Sequence, residues 1–228
     1  MYKQLYKMYE GKPIGNNSDK RPIFSFIRGV NMANALNQIP RGHIEVKGRL
    51  CFINNPEDYS NYCGYMFRPI FFDDEIYDLL YTKEELLTEG YSQEQAEKMV
   101  GYYKYMGKCH SVAQYILEEM SNVRPDVKAI TSLTRTIDDK YCFHSYVCLY
   151  SAKMRMDMIL DFTQNIIMPK YQYDELMVEK ELNVLNYTEY VDFINNGGYN
   201  SECKFAPLLY LALIQLQKME DKKNINKN

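Results

Sequence analysis

The middle third of the chain constrains the fold more than any other part. Residues 109–120 carry apolar side chains at the spacing of an amphipathic helix. Three runs rich in β-branched and aromatic residues follow, separated by short polar turns, at 127–136, 141–150 and 156–162. Short turns join antiparallel strands, whereas parallel strands need long crossover connections. This order predicts an α+β domain in which a helix packs on an antiparallel sheet.

The flanking regions predict additional elements around this core. Residues 1–90 are mixed, with a helix expected at 23–36 and a strand pair or bulged strand at 44–53. A capping box at Ser92 and Gln95 opens a helix predicted to run toward Met106.

The last third is predicted to be helical, with a long final helix over 203–219. We therefore expect a single domain over 1–228, in which 1–90 decorate the core, 91–165 form it and 166–228 add helices.

Composition excludes several classes of protein. The 228 residues are 46% hydrophobic and 25% charged, and the net charge of −3 is unlike the basic surface of a nucleic-acid-binding protein. The first residues lack the apolar run of a signal peptide, and the most apolar stretch, 206–216, is too short to span a bilayer. We therefore expect a cytoplasmic protein with no membrane or nucleic-acid partner, while the oligomeric state and secretion by a route without a signal peptide stay open.

The six cysteines contain no CxxC pair, so free thiols are expected in a chain without a signal peptide. Cys109 has a special position among them, because it follows the glycine break at Gly107 and opens the predicted helix. Unpaired backbone N–H groups and the helix dipole stabilise an anion at that position, and a thiolate is such an anion. Cys109 is therefore a candidate nucleophile.

A thiol nucleophile needs an imidazole beside it, and the imidazole needs an orienting carboxylate. The chain has three histidines, of which His110 would point about 100° away from Cys109 around the helix. His144 lies in the second predicted strand, and Asp161 ends the third. Because a hairpin of these strands places their side chains together, the sequence predicts a Cys109–His144–Asp161 triad.

Three segments resemble motifs of transglutaminase-like and papain-like cysteine enzymes. Residues 107–113 (GKCHSVA) resemble the nucleophile helix, 144–150 (HSYVCLY) the histidine strand, and 160–163 (LDFT) the closing Leu-Asp-x-Thr. The order and intervals fit the transglutaminase-like core best, over about a quarter of the chain. The position six residues before the nucleophile is Tyr103, where papain-like proteases carry an oxyanion-hole glutamine.

The resemblance implies a thiol enzyme acting on an amide bond of a peptide or protein, as a cysteine peptidase or as a glutamine deamidase or transglutaminase-type acyl transferase. It implies no cofactor. Tyr146 and the segment before the helix are expected to line the substrate site, with candidate contacts at Tyr103, Tyr105 and Gly107.

Two other interpretations remain open. Cys142, His144 and Cys148 share a strand face and could bind zinc, although residues two apart on a strand rarely converge on one ion. The same fold could also serve as a non-catalytic module that binds a peptide or protein.

Overall fold

A computed structural model describes residues 2–13, 43–46, 49–52, 60–62, 65–66, 70, 78–101, 104–105, 107–135, 140–200 and 203–225. The helices are α1 (Tyr2–Tyr9), α2 (Lys83–Thr88), α3 (Gln93–Met99), α4 (Cys109–Ser121), α5 (Lys170–Met177), α6 (Tyr187–Asn196) and α7 (Pro207–Ile225). The strands are β1 (His43–Val46), β2 (Arg49–Phe52), β3 (Ser60–Tyr62), β4 (Tyr65–Met66), β5 (Lys128–Arg135), β6 (Tyr141–Ser151), β7 (Met156–Asp161), β8 (Ile166–Pro169) and β9 (Val178–Leu185). The helix expected at 23–36 lies outside the described residues.

The core is a five-stranded sheet in the order β8-β7-β6-β5-β9, with every pair antiparallel. The predicted α+β class is therefore confirmed, as are the three predicted central strands. The strand pair expected at 44–53 is also confirmed, because β1 and β2 form an antiparallel hairpin.

Helices cover the two faces of the central strands. On one face, Val147 and Ala129 pack against Leu117 of α4 and Leu208 of α7. On the other, Tyr146 packs against Tyr173 of α5. We call these the α4 face and the α5 face. Because side chains alternate along a strand, His144 lies with Tyr146 on the α5 face, and their ring centroids are 6.0 Å apart.

One end of β6 extends beyond its neighbour β7, whose pairing with β6 covers only Val147–Ser151. The N-terminal arm, residues 2–13, lies along this vacated edge. Gly11 donates a backbone hydrogen bond to Tyr141 O, and Tyr141 donates one to Lys12 O. The carboxylate of Glu10 accepts a hydrogen bond from Phe143 N at 2.9 Å. The arm therefore replaces β7 as the partner of β6 near the predicted site.

The regions outside the core differ from the prediction in three ways. The helix that begins with the Ser92 capping box ends at Met99, and Gly101 has a φ of +79° that a helix cannot continue through. The last third is not all helical, because it supplies β8 and β9 to the sheet. The final helix starts at Pro207, four residues later than Cys203, where it was expected.

None of the helices in the described part of the chain is long and apolar enough to cross a bilayer.

Candidate active site

The first turn of α4 holds Cys109 and lacks a side-chain cap. Gly107 has a φ of +74°, which turns the chain into the helix, and the N-cap residue Lys108 makes no side-chain hydrogen bond to the first turn. By contrast, α2, α3 and α6 all begin with capping boxes. The first N–H groups of α4 are therefore not occupied by a cap and can stabilise an anion at Cys109.

The thiol lies beside the edge of β6 that β7 does not cover. Its Sγ is 4.0 Å from Phe143 O, and it interacts with the imidazole of His144. Helix α4 packs on one face of the sheet, and His144 lies on the other. Because β7 does not extend along this part of β6, the side chains of Cys109 and His144 can meet at its edge.

The other side of the imidazole contacts Asp161. Nε2 of His144 and Oδ2 of Asp161 are 2.7 Å apart, and both side chains are almost completely buried. The register pairs Val147 with Leu160, so Asp161 at the end of β7 reaches His144 diagonally. Because Nε2 is bound to the carboxylate, Nδ1 is the ring nitrogen left for the thiol. The structure thus brings the three predicted residues together in the predicted order.

Several donors fix the carboxylate of Asp161. Oδ1 accepts from Thr163 Oγ1 at 2.9 Å and from Gln164 N at 3.2 Å. Oδ2 accepts from Tyr173 OH at 2.7 Å and from Gln164 Nε2 at 2.6 Å, in addition to His144. A carboxylate offers about four lone-pair sites, so this one is saturated and held in one orientation.

The charges in this cluster support one another. Burial raises the pKa of the Cys109 thiol, but the charges of His110 and His144 and their hydrogen bonds to the sulfur outweigh it and hold that pKa well below its ordinary value. Burial lowers the pKa of His144, but Asp161 and Cys109 together raise it to about 10. Burial raises the pKa of Asp161, but the charge of His144 and the surrounding hydrogen bonds bring it below its usual value. These shifts all favour a thiolate, an imidazolium and a carboxylate in the site.

A Tyr173→Phe variant is expected to lose about 2 kcal/mol of unfolding free energy, because the hydrogen bond from its hydroxyl to the buried Asp161 carboxylate disappears. The measurement is urea unfolding at pH 7. Tyr171→Phe is the matched control on the same helix, since Tyr171 is 61% exposed and its change should stay within about 0.5 kcal/mol. Equal losses in the two variants would contradict this role for the Tyr173 hydroxyl.

His110, which was expected to point away from the thiol, interacts with it, and its charge is the largest of the contributions that lower the pKa of Cys109. Its Nδ1 is 2.8 Å from Ser145 Oγ on β6. Successive residues inside a helix point about 100° apart. In the first turn no preceding turn blocks the side chains, so two successive side chains can both bend toward the same strand edge.

The predicted substrate contacts have different outcomes. Tyr146 is 1% exposed, with its hydroxyl 2.8 Å from Ser132 Oγ, so it supports His144 from within the core and cannot line an open groove as predicted. Tyr105 and Gly107 lie in the turn before α4, where Tyr105 O accepts a hydrogen bond from Lys108 N. Their contact with substrate stays a prediction. Tyr103 lies outside the described residues.

The zinc alternative finds no supporting geometry. Within the described residues, no three or more His, Cys, Asp or Glu side chains are grouped so that they could hold a metal ion. Cys148 belongs to the apolar core on the α5 face, where burial raises the pKa of its thiol to about 12. Cys148 is thus a buried, protonated thiol, unlike Cys109.

Comparison of this chain with protein-family models, with curated proteins and with solved structures gave no match.

Proposed function

We propose that this chain is a thiol enzyme that acts on an amide bond of a peptide or protein, either as a peptidase or as a glutamine deamidase or acyl transferase. The observation that carries the proposal is the contact of the Cys109 thiol with a buried His144–Asp161 pair. A buried charged pair of this kind is costly to maintain, and one that contacts a nucleophile at a strand edge is typical of a catalytic site.

The first half-reaction follows from this geometry. The Cys109 thiolate attacks the amide carbonyl carbon, and the carbonyl oxygen takes the electron pair. The backbone N–H of Cys109, at the uncapped start of α4, is the first candidate donor to that oxyanion. His144 then gives its proton to the leaving amine, the C–N bond breaks and a thioester remains on Cys109. Water or an amine releases the acyl group in the second half-reaction.

The order of elements supports a transglutaminase-like core within this proposal. The nucleophile opens a helix, the histidine follows on a strand, and the acid ends the next strand of the same antiparallel sheet. A cytoplasmic location is also part of the proposal, because Cys109, Cys142, Cys148 and Cys203 are all free thiols.

Selective labelling tests the activated thiol. With limiting iodoacetamide at pH 6, Cys109 is expected to be alkylated at least about tenfold faster than Cys203, because two imidazoles lower the pKa of Cys109. Peptide mass spectrometry measures the modified fraction of each cysteine. If Cys109 reacts no faster than Cys203, the thiol is not activated, and the non-catalytic binding module replaces this proposal.

Trapping of acyl adducts identifies the acceptor. Incubation with a glutamine-rich peptide should leave a Cys109-linked adduct in the wild type and none in Cys109→Ala. A biotinylated primary amine added to the same mixture becomes attached to the peptide if the enzyme is an acyl transferase, whereas a deamidase converts glutamine to glutamate. Peptide-bond cleavage identifies a peptidase.

A further inference from the structure

A chain of uncharged groups lies behind His110. His110 Nδ1 is 2.8 Å from Ser145 Oγ, and Ser145 Oγ is 2.7 Å from Thr131 Oγ1. Ser145 is 2% exposed and Thr131 is fully buried. The two hydroxyls lie on the α4 face, where the neighbouring side chains of the same strands are Ala129 and Val147. A buried polar chain on an apolar face is costly unless its hydrogen bonds are made, and here they lead to the imidazole next to the nucleophile.

The two imidazoles at Cys109 are held by different chemistry. His144 is fixed by the buried carboxylate of Asp161, which favours its cationic form. His110 is fixed by hydroxyls, and a hydroxyl both donates and accepts. If Ser145 donates to Nδ1, it accepts from Thr131; if Nδ1–H donates to Ser145, then Ser145 donates to Thr131. The hydroxyls of Ser145 and Thr131 can therefore keep their hydrogen bonds in either protonation state of His110, and they place no fixed charge beside it.

Several other titratable groups act on the thiol and its imidazoles. Glu10 and Tyr6 of the N-terminal arm interact with Cys109, and Glu10 also interacts with His110. Asp161 lies beside His144, and Tyr173 lies within electrostatic range of Cys109. A pH profile of this site therefore has to be compared between variants that leave these groups in place.

We propose that His110 is a second catalytic histidine, which contacts the thiol in the free enzyme and accepts the proton of the acceptor in the second half-reaction. This inference rests on the proposed function. The oxygen or nitrogen of the acceptor bonds to the thioester carbonyl carbon while its proton passes to His110. When the tetrahedral intermediate collapses, the C–S bond breaks and the Cys109 thiolate returns. His110 then releases its proton to solvent, and His144, which lost its proton to the leaving amine, takes one up from solvent, so that the thiolate–imidazolium pair is restored.

p-Nitrophenyl acetate separates the two half-reactions. Its p-nitrophenolate leaves without taking a proton, so His144 stays protonated and cannot act as the base in deacylation. The burst of p-nitrophenolate absorbance measures acetylation of Cys109, and intact-mass spectrometry follows the lifetime of the acetyl-enzyme. His110→Asn keeps an amide that can bond to Ser145 but cannot carry a proton.

We expect His110→Asn to keep the burst and to hydrolyse the acetyl-enzyme about 100-fold more slowly, the usual contribution of a general base. Ser145→Ala should also lengthen the lifetime, because the ring loses its anchor. Ser121→Ala is the matched control, since its hydroxyl bonds only to Glu118 O at the far end of α4. The rate of deacylation in the wild type should fall at low pH as one group becomes protonated, and this dependence should be absent in His110→Asn.

The outcomes separate this inference from the proposed function. A wild type with no burst contradicts the proposed function. A wild type with a burst and a His110→Asn variant with an unchanged acetyl-enzyme lifetime contradicts only the role of His110. If His110→Asn fails to give a cooperative thermal transition, Ser145→Ala is used to test the role of His110 instead. An unchanged acetyl-enzyme lifetime in Ser145→Ala then overturns the proposal.

Discussion

In a His144→Ala variant, alkylation of Cys109 at pH 7 is expected to be slower than in the wild type by about tenfold or more. Without the imidazolium, the loss of its charge and hydrogen bond raises the pKa of the thiol, although the charge of His110 still lowers it in part. A smaller fraction of the thiol is then ionised at pH 7. The greater nucleophilicity of a more basic thiolate offsets part of this loss, so the rate falls less than the thiolate fraction.

The pH profile makes this comparison sharper. The wild-type rate of iodoacetamide labelling should change little from pH 6 to pH 8, whereas the rate in His144→Ala should rise with pH over this range as more of the thiol ionises. Tyr150→Ala, at the exposed end of the same strand and outside the site, should keep the wild-type profile. A flat profile in His144→Ala would show that His144 does not ionise the thiol.

Asp161→Ala is expected to lose about 3–5 kcal/mol of unfolding free energy at pH 7. The carboxylate is fully buried and hydrogen-bonded to His144, Tyr173 and Gln164, so its removal leaves a buried imidazole and several other donors without their acceptor. Guanidinium unfolding measures the loss. Asp157→Ala is the matched control on the same strand, because its side chain is exposed and its effect should be within about 0.5 kcal/mol.

The charged pair of His144 and Asp161 predicts how the stability of the protein depends on pH. The pKa of Asp161 is lowered in the folded protein, so its contribution is present above the unfolded value of 3.8 and is lost as pH falls below it. The pKa of His144 is raised to about 10, so its contribution is full below the unfolded value of 6.5 and is lost as pH rises toward 10.

In Asp161→Ala the effect of acidic pH on the unfolding free energy should change. Burial then dominates at His144 and lowers its pKa, so the variant should lose further stability as pH falls through 6.5. A stability difference from the wild type that is the same at pH 5 and pH 8 would contradict the charged pair.

The sequence predicted the parts of the fold whose signals are local. The spacing of apolar residues in 109–120 gave the start of α4 correctly, and the Ser92 capping box marked the start of α3. Strand β9 was missed because α5 ends at Met177 and β9 begins at Val178, with no glycine or proline between them. The pairing of β9 with β5 is a tertiary interaction that overrides the weak local pattern.

The site was predictable where residue type and order were enough. Thiol chemistry requires a thiol, then an imidazole, then a carboxylate in contact, and the structure brings Cys109, His144 and Asp161 together. The supporting groups were not predictable, because Tyr173 and Glu10 reach the site only through the packing of α5 and of the N-terminal arm. Thr163 gave a weak signal as the last residue of the Leu-Asp-x-Thr motif, and its hydroxyl does bond to Asp161.

The N-terminal arm has a consequence for how this protein folds. His144 and Asp161 are 17 residues apart and lie on neighbouring strands of one hairpin, a unit that forms within microseconds. The hydrogen bond between Phe143 and Glu10 spans 133 residues, so it closes a very long loop. Contacts of such high sequence separation form late, after most of the sheet has been built. During folding we therefore expect an interval in which the charged pair is already assembled while the edge of β6 is still unpaired and open to aggregation.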